Sequence, residues 1–224
     1  MDFHTYPDRD MLYLSVANRI AAQLAHFLRR NERATLAVPG GETPGPLFDI
    51  LSGVDLDWSR VWILPTDERW IGGEAEQSNT RLVRERLLRD RAAKAQLIPL
   101  YLPGVATPEE AVPELTRNLQ PHLPISVLLL GMGKSMHTAS LYASGDNLSE
   151  ALKPNAPPLI PMRSEITTEP RITLTARILR EAFNIHVMIT GKAKKSAIER
   201  AMELPSNKAP IRCVLDLAEV HWAE

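Results

Sequence analysis

The chain carries a single cysteine, Cys213, in 224 residues. No internal disulfide can brace it, so its core must come from apolar burial, which a chain of this length can supply unaided. Cys213 sits in the apolar stretch Ile211-Arg212-Cys213-Val214-Leu215, which reads as a strand with a buried thiol rather than a nucleophile. The first residues lack a basic region followed by an apolar run, and no stretch approaches the roughly 20 apolar residues that a membrane helix needs. A cytoplasmic, soluble protein with no membrane partner is expected. An excess of charge of one sign is also missing: 26 Lys plus Arg face 27 Asp plus Glu, for a net charge of -1. That balance provides no basic field for nucleic acid, and any bound anion must meet a local cluster. Internal repeats and low-complexity tracts are absent, and the 44% hydrophobic and 24% charged content excludes a disordered or fibrous chain.

Between Leu12 and Leu28 the apolar residues Leu12, Val16, Ile20, Leu24, Phe27 and Leu28 recur at helical steps. Short apolar runs then alternate with helical patterns. Strands are expected at Thr35 to Val38, Val61 to Leu64, Ile125 to Leu130, His186 to Ile189 and Arg212 to Leu215, with weaker signals at Ile98 to Tyr101 and Arg171 to Leu174. Helices are expected at Pro44 to Leu51, Asn79 to Leu88, Pro108 to Leu119, Thr175 to Phe183 and Lys192 to Met202, while Pro154 to Pro161 reads as a loop. This succession predicts one α/β domain over residues 1–224: a mostly parallel, Rossmann-like sheet covered on both faces, in three α/β/α layers.

Ligands of an open parallel sheet sit at the carboxyl ends of its strands, so the segments after each run are the informative ones. In Pro39-Gly40-Gly41-Glu42-Thr43-Pro44 the glycines let backbone approach a ligand. Thr43 can cap the next helix and Pro44 suits its first position, giving an anion site at a helix start; a plain strand-to-helix turn fits equally. Lys192, Lys194 and Lys195 fall in the first turn of a helix, where positive charge opposes the dipole unless a phosphate neutralises it. Solvation of all three is the alternative. Gly131-Met132-Gly133 leads to His137, a residue able to accept a proton near neutral pH. Thr66-Asp67-Glu68-Arg69 offers both signs of charge, which suits sugar hydroxyls and a phosphate or carboxylate, and equally a surface ion-pair cluster. His186 reads as a core or edge residue, and His4, His26, His122 and His221 lack metal-ligand spacing, so no zinc site is expected. Neither glycine loop completes a dinucleotide fingerprint.

Taken together, Gly40-Gly41-Glu42-Thr43-Pro44, Thr66-Asp67-Glu68-Arg69 with Ser78-Asn79, Gly131-Met132-Gly133 with His137-Thr138-Ala139-Ser140-Leu141, Pro170-Arg171-Ile172-Thr173-Leu174-Thr175, and Gly191 with Lys194 resemble, in order, the 6-phosphogluconolactonase family. Its superfamily also holds glucosamine-6-phosphate deaminase. The resemblance implies a sugar phosphate lactone as substrate, no cofactor and no metal, and a monomer or weak homo-oligomer. It places the phosphate on Gly40, Gly41, Thr43, Lys194 and Arg171, adds Asn79 to the binding residues, and gives catalysis to His137, as general base on water, with Asp67 and Arg69. The deaminase branch resembles His-x-Ala-x-x-Glu, and this chain has Tyr142 at the glutamate position.

One departure has consequences. The family usually has an aspartate two residues before the histidine, where this chain has Ser135, and Lys134 stands where an acidic or small residue is common. A serine can hydrogen-bond an imidazole but supplies no charge to stabilise the imidazolium. Asp67 or Asp146 must then take that role, or the protein is a slow enzyme or a sugar-phosphate binder. Without the neighbouring carboxylate, His137 is expected to titrate near the ordinary histidine value.

Overall fold

The computed structural model describes residues 1–224. Its strands are β1 (Asp2–Thr5), β2 (Ala34–Val38), β3 (Val61–Pro65), β4 (Asp67–Arg69), β5 (Gln96–Leu97), β6 (Val127–Leu130), β7 (Leu159–Met162), β8 (Arg171–Leu174), β9 (Ile185–Thr190) and β10 (Glu219–Ala223). The α-helices are α1 (Arg9–Leu28), α2 (Gly45–Ser52), α3 (Asn79–Arg86), α4 (Pro108–Leu119), α5 (Leu148–Ala151), α6 (Ala176–Arg180), α7 (Lys192–Ala201) and α8 (Arg212–Leu215).

Asp8 fixes the start of α1 by accepting a hydrogen bond from the Met11 amide at 2.8 Å. The stripe Leu12, Val16, Ile20, Leu24 and Leu28 is buried against the sheet, each side chain contributing roughly 1.5–3 kcal/mol of transfer free energy. All five residues of β2 are buried, as both faces of a central parallel strand must be. The main sheet has seven strands in the order β1-β10-β9-β6-β2-β3-β5, every pair parallel. One face carries a core that joins α1, α2 and α3 to the sheet; the other carries α4, α6, α7 and α8. The three-layer α/β/α expectation therefore stands.

A second, three-stranded antiparallel sheet, β4-β8-β7, overturns two readings of the sequence. Residues 67–69 form a strand, not a loop, because Arg171–Leu174 pairs with them. Leu159–Met162 is likewise a strand inside the proline-rich stretch, its Pro161 taking a position in the ladder opposite Ile172.

Near the carboxyl end the structure departs furthest from the sequence pattern. Residues 212–215 are helix α8, and Cys213 is a buried helical thiol whose burial pushes it up to about 12. A four-residue segment with three apolar residues does not separate a helix from a strand by periodicity. The true last strand is β10, which the sequence hides because polar Glu219 and His221 interrupt its apolar pattern; Asp2 and His4 interrupt that of β1. The strand expected at Ile98 to Tyr101 is only Gln96–Leu97.

Candidate active site

The chain runs outward from β2 to β3 and β5, then returns across the sheet to β6 beside β2 and continues to β9 and β10. Strand order therefore reverses between β2 and β6, and a crevice at their carboxyl ends is the position where such sheets bind ligands. A cavity of about 360 Å³ lies there, and its lining includes Gly40, Gly41, Thr43, Asp67, Arg69, Asn79, His137, Arg171 and Lys194. The nine residues to which the family resemblance gave catalysis or binding all line this one space, whereas Asp146, Lys192 and Lys195 do not.

His137 lies at the end of a strained turn. Met136 and Ala139 on either side have φ of 61° and 47°, left-handed conformations that cost side-chain-bearing residues energy and concentrate at functional sites. The turn is held by Gly133 N–H donating to the His137 carbonyl at 3.0 Å, by Met136 N–H donating to Gly133 at 2.9 Å, and by Ile211 N–H donating to the Met136 carbonyl at 2.9 Å. Gly133 is required here by close approach: a Cβ on it would lie 2.0 Å from His137 Cε1. His137 Nδ1 is 2.7 Å from Ser135 Oγ. If Nδ1 carries the proton and donates to Ser135, Nε2 is free to accept one. The Tyr142 ring packs 4.7 Å from the imidazole. Burial pushes His137 below the ordinary histidine value; Asp67 pulls it up, while Arg171 and Lys194 push it further down. The expectation of a near-ordinary imidazole is thus corrected, since desolvation outweighs the one favourable charge.

Asp67 and Arg171 form a buried ion pair, Arg171 Nη1 donating to Asp67 Oδ2 at 3.2 Å. The same oxygen accepts from Ser140 Oγ at 2.5 Å. Strand pairing of β4 with β8 sets Arg69 opposite Arg171, so two guanidinium groups face the cavity. Arg171 Nε is buried with no hydrogen-bond partner, a donor left for an incoming acceptor. Asp146 accepts from the Arg163 amide at 2.9 Å and does not line the cavity, which leaves Asp67 as the carboxylate near His137.

Glu68, which the sequence reading left without a role, organises the opposite wall. Its buried carboxylate accepts from Asn79 N–H at 2.9 Å, Thr80 N–H at 2.7 Å and Ser78 Oγ at 3.0 Å, placing negative charge at the start of α3 where the dipole favours it. Asn79 is thereby set over Gly40, where a Cβ would fall 1.9 Å from its Oδ1, and its Nδ2 donates to the Asp67 carbonyl at 2.8 Å. The first glycine loop departs from expectation in one detail: α2 begins at Gly45 with Pro44 as its cap, and Thr43 makes no capping bond. Among the lysines of α7, Lys192 pairs with Glu224 at 2.8 Å and Lys195 sits 4.4 Å above the Trp222 ring. Lys194 lines the cavity, and burial with nearby Lys134 holds it below the ordinary lysine range.

A doubly wound α/β sheet whose switch-point crevice gathers a histidine, two arginines, a lysine and a glycine loop defines an anion-handling protein of the α/β class. The chain belongs to the family described as glucosamine-6-phosphate isomerases/6-phosphogluconolactonase, matched over residues 7–222. It is 36% identical over 229 residues to a 6-phosphogluconolactonase of Rhizobium meliloti, covering 99% of this chain and 98% of that one. It is 36% identical over 211 residues to a 6-phosphogluconolactonase of Pseudomonas aeruginosa, covering 92% and 88%. The crystal structure of a 6-phosphogluconolactonase from Shewanella baltica superimposes with a TM-score of 0.96 at 32% identity, over 100% of this chain and 98% of that one. No helix is long and apolar enough to cross a membrane.

Proposed function

We propose that this chain is a 6-phosphogluconolactonase, hydrolysing 6-phospho-D-glucono-1,5-lactone to 6-phospho-D-gluconate in the oxidative pentose phosphate pathway. The observation that carries this reading is the single cavity in which His137 lies with Arg171 and Lys194. In it His137 Nε2 removes a proton from water as the water oxygen attacks the lactone carbonyl. The carbonyl electrons move to oxygen, the tetrahedral intermediate collapses, and the ring oxygen leaves with the proton returned by the imidazolium. A lactone is already an activated ester, so a positioned base and donors for the oxyanion are enough.

The glycine loop, Thr43, Lys194 and Arg171, whose Nε is unpartnered, hold the phosphate; Arg69 and Asn79 face the sugar and the developing charge. Asp67 keeps Arg171 in place and supports the imidazolium electrostatically, while Ser135 sets the tautomer. The setting is a cytoplasmic enzyme, monomeric or weakly self-associating, that uses no cofactor. Deamination of an amino sugar is disfavoured by Tyr142, which occupies the position where that branch resembles a glutamate.

The test is lactone hydrolysis at mildly acidic pH, where the spontaneous reaction is slow. Turnover above background that is lost in His137→Asn, with 6-phosphogluconate binding retained, is expected. Tight product binding with no turnover would make the chain a binder, and ammonia release from glucosamine 6-phosphate would make it a deaminase. Lys194→Ala should raise KM for the phosphorylated lactone far more than for an unphosphorylated one; equal effects on both would remove Lys194 from the phosphate site.

A further inference from the structure

Four polar side chains meet where the sheet edge passes under α1: His4, His186, His221 and Tyr6. Tyr6 Oη is 2.9 Å from His221 Nδ1, His221 Nε2 is 3.0 Å from His186 Nδ1, and His186 Nε2 is 2.7 Å from Gln23 Oε1. Because Gln23 Oε1 only accepts, the chain of donors is fixed as His186 to Gln23, His221 to His186 and Tyr6 to His221. Every ring nitrogen of His186 and His221 is therefore engaged.

His4 differs. Its ring stacks on His221, with centroids 5.2 Å apart and planes at 14°, which turns Nε2 toward the β1-β10 edge. There it lies 3.2 Å from Asp2 Oδ2 and 3.4 Å from Glu219 Oε2. His4 Nε2 and Glu219 Oε2 are both buried and neither makes an aligned hydrogen bond. Parallel pairing of Asp2 with Glu219 and of His4 with His221 brings the three ligand atoms to one point. Ligands held at about 2.0–2.1 Å around a tetrahedral ion stand about 3.3 Å apart, which matches both measured separations. Arg19 Nη2, at 2.7 Å from Glu219 Oε2, is the one cation already present, and its side chain is 45% exposed and free to swing into solvent.

We propose that Asp2, His4 and Glu219 bind a divalent cation of the zinc class, with water completing the tetrahedron on the exposed Asp2 side. The ion ties edge strand β1 to β10 and has no part in the reaction at the distant carboxyl end of the sheet. Nitrogen and carboxylate donors in this number suit Zn²⁺ and Co²⁺ over Mg²⁺, which asks for six oxygens.

The test titrates Zn²⁺ and Co²⁺ into the full chain carrying His137→Gln, so that the cavity imidazole contributes no ligand. One bound ion is expected, with the visible absorption of tetrahedral Co²⁺. His4→Gln should weaken binding at least about tenfold, since even indirect partners of a bound metal are worth that much, and should leave lactone hydrolysis unchanged when introduced alone. Arg19→Ala should tighten binding by removing the competing cation. Absence of the Co²⁺ spectrum, equal affinity in His4→Gln, or weaker binding in Arg19→Ala would overturn the proposal and leave the cluster an ordinary imidazolium ion pair. If His4→Gln does not fold, the Co²⁺ spectrum and the Arg19→Ala titration still decide.

Discussion

Replacing Ser135 by aspartate tests how His137 is supported. Ser135 Oγ lies 2.7 Å from Nδ1, so an aspartate there sets a carboxylate against the nitrogen that carries the proton in the working tautomer. Two unit charges about 4 Å apart attract by about 1 kcal/mol in water and about 4 kcal/mol at an effective dielectric of 20. Residue 135 is exposed, which puts the gain near the lower end, about 1.4 kcal/mol, or about tenfold in kcat if it is realised in the transition state, where the imidazolium forms. The sign for pH follows from the working form. The neutral imidazole is the base, and activity rises with pH as it loses its proton. In the present protein that rise falls below the ordinary histidine value because burial, Arg171 and Lys194 disfavour the cation. Ser135→Asp favours the cation, so the rise should move to higher pH while the plateau increases. Stopped-flow or continuous hydrolysis assays across pH, corrected for the spontaneous reaction, measure both. An unchanged profile and an unchanged plateau would refute the argument and imply that Asp67 already supplies the charge. Asp67 raises His137 in the present protein, but the charge it offers is shared with Arg171, whose guanidinium its Oδ2 accepts from and which pushes the imidazole down.

Three further outcomes are expected. Asp67→Asn removes the partner of a buried guanidinium and should cost about 3–5 kcal/mol of stability, read by denaturant unfolding, together with most activity. Gly133→Ala places a methyl 2.0 Å from His137 Cε1; the displaced imidazole should lower kcat about a hundredfold while product binding, followed by calorimetry, survives. Glu68→Gln keeps the shape of the α3 cap but loses its charge and should cost about 1–2 kcal/mol, with a rise in KM larger than the fall in kcat because Asn79 and Arg69 loosen.

Much of this architecture was legible because central parallel strands are buried on both faces. Residues 34–38, 61–65, 127–130 and 185–190 announce themselves as short apolar runs. The cavity was legible for a related reason: once those strands were placed, the polar and glycine-bearing segments behind them had to converge. Strands β1, β4 and β10 were not legible, because His4, Asp67, Glu68 and His221 point inward and find polar partners, which breaks the alternation that marks a strand. Glu68, Ser140 and Gly133 were visible only as members of their motifs, and their particular contacts were not, because each acts through space on another residue or through the absence of a side chain. The α8 segment was misread because a run of three apolar residues, Cys213 to Leu215, fits a buried turn of helix as well as a strand.

The small antiparallel sheet has a consequence for motion. Asp67 and Arg69 lie on β4 and Arg171 on β8, opposite one another in a hydrogen-bonded ladder, so the charged wall of the cavity is carried on paired strands instead of a hinged flap. Such a wall reorganises little when a sugar phosphate docks, and its amides should exchange with solvent only when the ladder itself opens. On that basis the part of the cavity carried on β4 and β8 should need no closing step, and amide exchange of residues 67–69 and 171–174 should be nearly the same with and without 6-phosphogluconate.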